Sequence, residues 1–148
     1  MSLGGDETVI RIVAAIAINR SGETLLVRKR DTAAFMLPGG KPALAESPLD
    51  ALEREVREEL GCGLDRTACR SLGTFRAPAA NEPGCTVEAE LFSASFLGEP
   101  RPAGEIDELI WIDPEGELPF PLAQLAQLHA LPLARQLKLN GRKQGPWI

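Results

Sequence analysis

The stretch from Gly39 to Cys62, GGKPALAESPLDALEREVREELGC, constrains this chain more than any other. It joins a glycine-hinged loop to a helix whose two ends are both marked. Ser47 is placed to be the N-cap, and Asp50 three residues on makes a partial capping box. Pro48 suits the first helical position, and Gly61 suits a left-handed C-terminal stop. Between them Leu49, Leu52, Val56 and Leu60 form one apolar stripe, so the helix Ser47 to Leu60 must lie on a core.

The same helix carries Arg54, Glu55, Glu58 and Glu59. At about 100° per residue, the three glutamates span roughly 100° of arc, and Glu59 projects within about 20° of Leu52. The carboxylates therefore sit beside the buried stripe. Glu55 and Glu59 are an i,i+4 pair of like charge, unfavourable by roughly 0.2–0.5 kcal/mol even when exposed. Half-buried, they need either a raised pKa or a bound cation. Oxygen ligands alone favour Mg²⁺ or Mn²⁺ over zinc. Glu53 with Arg57, and Arg54 with Glu58, also have i,i+4 spacing, and a charged helix face is ordinarily just solvated.

Around this segment the chain reads as strands, helix, strands, helix. Val9 to Ile18 is apolar on both faces and reads as a buried strand, Asn19 to Glu23 as a turn, and Thr24 to Arg30 as a second strand. Together these predict a hairpin. Phe35 to Pro38 is a short extended piece. Further strands are expected at Cys69 to Arg76, Thr86 to Leu97 and Ile106 to Ile112, with a loop from Ala77 to Gly84. A second helix is expected over Leu122 to Ala130, disturbed by Pro132, and the tail from Asn140 reads as a fraying end. The order predicts an α/β (α+β) fold, a mixed β-sheet between helices. With 148 residues, one domain over 1–148 is expected, with loose termini at 1–8 and 140–148.

Composition removes several function classes. A net charge of −5 argues against binding a nucleic-acid polymer, which needs a basic stripe. No apolar run is long enough for a membrane span. Cys62, Cys69 and Cys85 make an odd count without close pairing, which fits reduced thiols in a cytoplasmic protein. With a single histidine, His129, a histidine-centred mechanism is not expected.

Gly40, Glu46, Arg54-Glu55-Val56, Glu58-Glu59 and Gly61-Cys62 stand at the spacing G, five residues, E, seven residues, R-E-U-x-E-E-x-G-U, where U is bulky and apolar. Through this motif the chain resembles the Nudix hydrolases. Nine fixed positions are a far more specific signal than a short glycine motif. The resemblance implies a Nudix-type α/β/α sandwich and metal-dependent hydrolysis of a nucleoside diphosphate linked to another moiety. It implies that Glu55, Glu58 and Glu59 hold Mg²⁺, with Mn²⁺ as substitute, and that the Gly39 carbonyl adds a ligand. Arg54 would orient the glutamates, with Glu46 as its structural ion-pair partner. Lys41 would reach a phosphate. Ala43 and Ala45 stand where many members carry Glu and Gly.

Beyond the motif, Gly104 to Trp111 resembles the family's acidic loop before a tryptophan-bearing strand. Glu105 is the candidate there for a further ligand or general base, ahead of Glu108, and either Glu58 or Glu105 would take the proton from water. Substrate contacts are expected from Arg28, Phe35 and Leu37 before the motif and from Phe75 and Asn81 after it. Asn81 is suited to reading a base edge because an amide both donates and accepts. Phe75 reads more readily as a core residue, Asn81 reads also as a turn former, and Arg28 as a strand-end cap.

The expected substrate is a small-molecule nucleotide, foremost a nucleoside triphosphate, modified or not, cleaved to monophosphate and pyrophosphate. ADP-ribose or nucleotide-sugar cleavage, and a non-hydrolytic nucleotide-binding module, are the alternatives. Isopentenyl diphosphate isomerase shares the fold but needs a catalytic cysteine in an appropriate motif. A monomer or homodimer is expected.

Overall fold

The computed structural model describes residues 7–143, with side chains to residue 140. Its strands are β1 (Thr8–Ala17), β2 (Thr24–Lys29), β3 (Gly39–Gly40), β4 (Gly63–Leu64), β5 (Arg70–Pro78), β6 (Cys85–Ala94), β7 (Phe96–Leu97) and β8 (Ile106–Ile112), and its helices are α1 (Pro48–Leu60) and α2 (Leu131–Lys143). A four-stranded sheet runs in the order β3-β1-β6-β5. β1 and β6 are parallel and the other pairs antiparallel, so the sheet is mixed as expected. β2 pairs with β8, and β4 with β7.

Strand alternation explains why β1 lies at the centre. Val13, Ala15 and Ala17 point to one side and pack with Leu52, Val56 and Leu60 of α1. Ala14 and Ile16 point to the other side and pack with Ala126, Ala130 and Ala134 of the C-terminal helix. Two cores, one on each side of the central sheet, make the α/β/α sandwich.

The hairpin expected between β1 and β2 does not form. Its turn is present: Asn19 Oδ1 accepts the Ser21 and Glu23 amides at 3.0 and 2.9 Å. Only Ile18 and Thr24 bridge across it, and the strands then part. Both edges of β1 are already taken by β3 and β6, so β2 must find its partner in β8.

The second helical region also differs from expectation. Leu122 bridges to Phe35, and helix begins at residue 124. A π turn, Ala126–Ala130, follows, with the Leu131 amide bonded to the Ala126 carbonyl. This wider turn re-phases the ladder just before Pro132, which has no N–H to give, so the helix continues through the proline. It runs to Lys143, so residues 140–143, expected to fray, are helical; Thr8 likewise belongs to β1. Residues 1–6 and 144–148 of the expected loose termini lie outside the described residues. Lys138, buried, clasps the helix to the turn after β8 through Asp113 and Glu115 at 3.2 and 3.3 Å. No helix among the described residues is long and apolar enough to cross a membrane.

α1 forms as its caps dictate. Ser47 Oγ accepts the Asp50 amide at 3.1 Å, and Gly61 takes φ 64°. The loop before it holds a strained residue. Ala45 is exposed and sits at φ 65°, where a side chain costs roughly 1–2 kcal/mol. Ala45→Gly should therefore raise the denaturant midpoint by an amount equivalent to about 0.5–1 kcal/mol, after the added freedom of the unfolded glycine is counted.

Candidate active site

The site is built where the paired glycines meet α1. Gly39 takes φ 153°, and a Cβ there would strike the Val13 carbonyl oxygen, with Ala14 Cα at 2.7 Å. A Cβ on Gly40 would fall on the Glu55 carboxylate. The glycines thus allow β3 to lie against β1 and leave room for the Glu55 carboxylate above Gly40.

Arg54 ties the loop to the helix. Its Nε donates to Glu46 Oε2 at 2.9 Å and its Nη2 to Glu46 Oε1 at 2.8 Å, a two-point ion pair. Glu46 Oε1 also accepts the Ala43 amide at 2.8 Å. These bonds, Arg54 first, pull the Glu46 pKa down to about 2. Arg54 Nη2 reaches the Lys41 carbonyl at 3.1 Å, and Nη1 reaches Glu55 Oε1 at 3.1 Å and Glu58 Oε2 at 3.5 Å. The guanidinium spans the loop, Glu46 and two helix carboxylates. Glu53, spaced for Arg57, instead contacts Arg66 at 3.3 Å.

Glu59 is 7% exposed, and its Oε1 accepts the Gly39 amide at 3.0 Å. Burial pushes its pKa up to about 7; the Gly39 bond and Lys29 work against the rise, while Glu55 and Glu105 add to it. The Glu55 pKa is also raised, by burial first and then by the Glu58 carboxyl beside it, with Arg54 opposing.

The Glu105 loop is strapped to the end of α1. The Ala103 amide bonds to the Glu59 carbonyl at 2.9 Å and the Arg101 amide to the Leu60 carbonyl at 2.8 Å. Arg30 holds the same loop through the Glu105 and Gly104 carbonyls, at 2.8 and 2.7 Å. This brings the Glu105 carboxylate close enough for Glu59 to feel its charge.

Carboxylates that gather despite rising pKa values are the donor chemistry a hard divalent cation requires. Among the described residues, no three acidic, histidine or cysteine side chains converge into a closed metal cage. The donor types fit Mg²⁺, with side-chain rotation needed to close around it.

Glu59 also sets a pH dependence. Its carboxyl is near 7 when folded and near 4.5 otherwise, so the folded protein binds that proton more tightly. The stabilisation is complete below pH 4.5 and is lost as pH rises through 7, about 3 kcal/mol over that window. Metal-free protein followed by urea unfolding should show this fall, and Glu59→Gln should flatten it.

A cavity of about 360 Å³ opens beside these groups, between the central sheet and the C-terminal helix. Leu37, Lys41, Glu55 and Asn81 line it, as do Gly39 and Gly40. Three of the residues expected to contact substrate do not line it. Arg28 is not at the cavity but is held by Glu108 at 2.6 Å and Asp107 at 2.8 Å across the β2–β8 pair, which also occupies Glu108. Phe35 is buried against Phe120, with centroids 4.4 Å apart. Phe75 packs on His129 at 5.2 Å, whose Nε2 donates to the Arg76 carbonyl at 2.9 Å. Among the described residues, none that lines the cavity is aromatic.

Two charged lining residues were missed from sequence, Lys29 and Glu82. Alternation put Arg28 and Lys29 on opposite faces of β2, but nothing local said which face met the site. Glu82 lay in a loop whose tertiary neighbour was unknown.

A family model for the NUDIX domain matches residues 9–135. The chain belongs to the Nudix family. A putative 8-oxo-dGTP diphosphatase of Bacillus subtilis is 33% identical over 107 residues, covering 71% of this chain and 66% of the relative. An isopentenyl-diphosphate Delta-isomerase of Leifsonia xyli is 36% identical over 106 residues, covering 64% and 57%. The matches thus span less than two thirds of these two relatives. A CTP pyrophosphohydrolase of Escherichia coli is 34% identical over 120 residues, covering 78% and 84%. Among solved structures, a MutT NUDIX hydrolase of Burkholderia pseudomallei superposes with a TM-score of 0.71 at 30% identity, over 85% of this chain and 98% of that one. This Nudix chain shares with it the mixed α+β fold described above.

Proposed function

We propose that this Nudix chain is a pyrophosphohydrolase that cleaves a nucleoside triphosphate, or a modified one, to monophosphate and pyrophosphate. The observation that carries the reading is the cavity's composition: a largely apolar slot with Glu55, Lys29 and Lys41 in its lining. Such a slot suits a base and sugar, and the two lysines suit phosphates.

Glu55, Glu58 and Glu59 would hold Mg²⁺ or Mn²⁺, and the Gly39 carbonyl would complete the set. The cation supplies charge neutralisation at the diphosphate and acidity toward water. Arg54 keeps Glu55 and Glu58 oriented from behind. Lys29 and Lys41 hold the phosphate oxygens. Glu58, whose side chain is 58% exposed, or Glu105 takes the proton of the attacking water. The names of the Bacillus and Escherichia relatives, which specify nucleoside triphosphates, support this substrate class over ADP-ribose or a nucleotide sugar. Against the isomerase, no cysteine lines the cavity, and Cys62 is buried. A non-hydrolytic module would have no need to keep all three helix carboxylates.

The test is a screen of nucleoside triphosphates, oxidised triphosphates, nucleotide sugars and ADP-ribose with and without Mg²⁺. The expected result is Mg²⁺-dependent release of pyrophosphate and a monophosphate from triphosphates. Turnover of ADP-ribose alone, or no turnover of any compound, overturns the proposal.

A further inference from the structure

The cavity lining draws polar side chains from two places, Lys41 and Glu55 beside the paired glycines and Asn81 and Glu82 on the turn before β6. In register, Gly39 and Gly40 stand opposite Ala14 and Val13 of β1. Ile10 stands opposite Val87 of β6, two residues beyond Cys85 and the turn that carries Asn81 and Glu82. From Ala14 to Ile10 is four residues, about 13 Å of strand. Ile10, Ile12 and Val87 form the floor between these two places, and Leu125 faces them from the helical side. A base lying on this apolar floor meets side-chain hydrogen-bonding groups where the turn supplies them, at Asn81 and Glu82.

We propose that Glu82, with Asn81, selects substrates whose base bears an exocyclic amino group. This rests on the nucleotide-hydrolase reading above. A carboxylate only accepts hydrogen bonds, whereas the Asn81 amide both donates and accepts. Cytosine, adenine and guanine each offer an amino N–H to the carboxylate. Uracil and hypoxanthine present a carbonyl oxygen in the place of that amine, and two acceptors face to face repel. Glu82 is available for this task. Its present partner is Lys41, with Nζ 4.0 Å from Oε1 and both side chains more than half exposed. Such a pair contributes at most about 1 kcal/mol, so a phosphate that draws Lys41 away frees the carboxylate at little cost.

Cytidine and uridine nucleotides isolate the effect, because they share sugar, phosphates and ring size. With Mg²⁺, kcat/KM for CTP should exceed that for UTP by roughly tenfold, the lower range for a charged hydrogen bond in a half-exposed site. Glu82→Gln should shrink that ratio to under about threefold, and Glu82→Lys, which donates where the carboxylate accepted, should tilt it toward UTP. A merely structural glutamate would not invert the preference. Calorimetric binding of CMP and UMP gives the same comparison without turnover. Equal turnover of CTP and UTP, or a preference that survives both substitutions, overturns the inference while leaving hydrolysis intact. If no triphosphate in the screen above is cleaved but CMP binds more tightly than UMP in a Glu82-dependent way, the hydrolase reading fails and the base selection stands. Binding of neither monophosphate, with no turnover of any triphosphate in the screen, overturns both.

Discussion

Glu55→Gln should lower kcat/KM on the best triphosphate by roughly a thousandfold, equivalent to about 4 kcal/mol of transition-state stabilisation. The amide keeps the side chain's volume and its place above Gly40, but loses one charge from the set proposed to grip the cation. Stability should not follow activity down. Burial and the adjoining Glu58 already disfavour the ionised carboxylate, so a neutral amide relieves repulsion among Glu55, Glu58 and Glu59. The thermal midpoint should therefore hold or rise slightly while turnover collapses. Steady-state kinetics and a melting curve on the same preparation decide the matter. Turnover within threefold of the parent would remove Glu55, and with it the cation site, from the mechanism.

The adjacent glycines should fail in opposite ways when each is changed to alanine. At Gly40 the new methyl meets the Glu55 carboxylate, and Glu55 Cγ lies at 3.1 Å from it. The carboxylate is the far end of a flexible side chain, held by Arg54 Nη1 at 3.1 Å, and can swing aside at small cost in stability. It would then no longer point into the cavity, and a displacement of about 1 Å at a reacting centre can cost on the order of a hundredfold. Gly40→Ala is thus expected to lose at least about a hundredfold in kcat/KM with a near-parental melt. At Gly39 the methyl meets backbone, the Val13 carbonyl and Ala14 Cα, at a φ that side chains rarely adopt. β1 is the central strand and cannot yield, so Gly39→Ala should cost about 3 kcal/mol or more, read as a shift of the urea midpoint. If both variants lost stability alike and kept activity, the glycines would be serving the sheet alone.

Local physics explains how much of this was legible. α1 carried its own instructions: a hydroxyl cap, a proline at the first position, a glycine stop and an apolar stripe, each acting on neighbours within about four residues of itself. Its position in the chain and the placement of Glu59 at the edge of the core followed from helical geometry alone. The period-two and all-apolar runs likewise located β1, β2, β6 and β8 closely. Pairing was less accessible. Adjacency in sequence suggested a β1–β2 hairpin, but competition for the edges of β1 was decided by β3 and β6, which arrive later in the chain.

The sequence by itself determined the helix, its carboxylates, the glycines before it and so the family, because each depends on neighbours at fixed short spacing. Only the tertiary structure decided which side chains face the cavity. It turned Arg28 to Glu108 and Lys29 to the site, buried Phe35, packed the half-buried Phe75 on His129, and set Glu82 across from Lys41. Those outcomes depend on which strand face meets which helix, and that is set by packing between segments far apart in the chain.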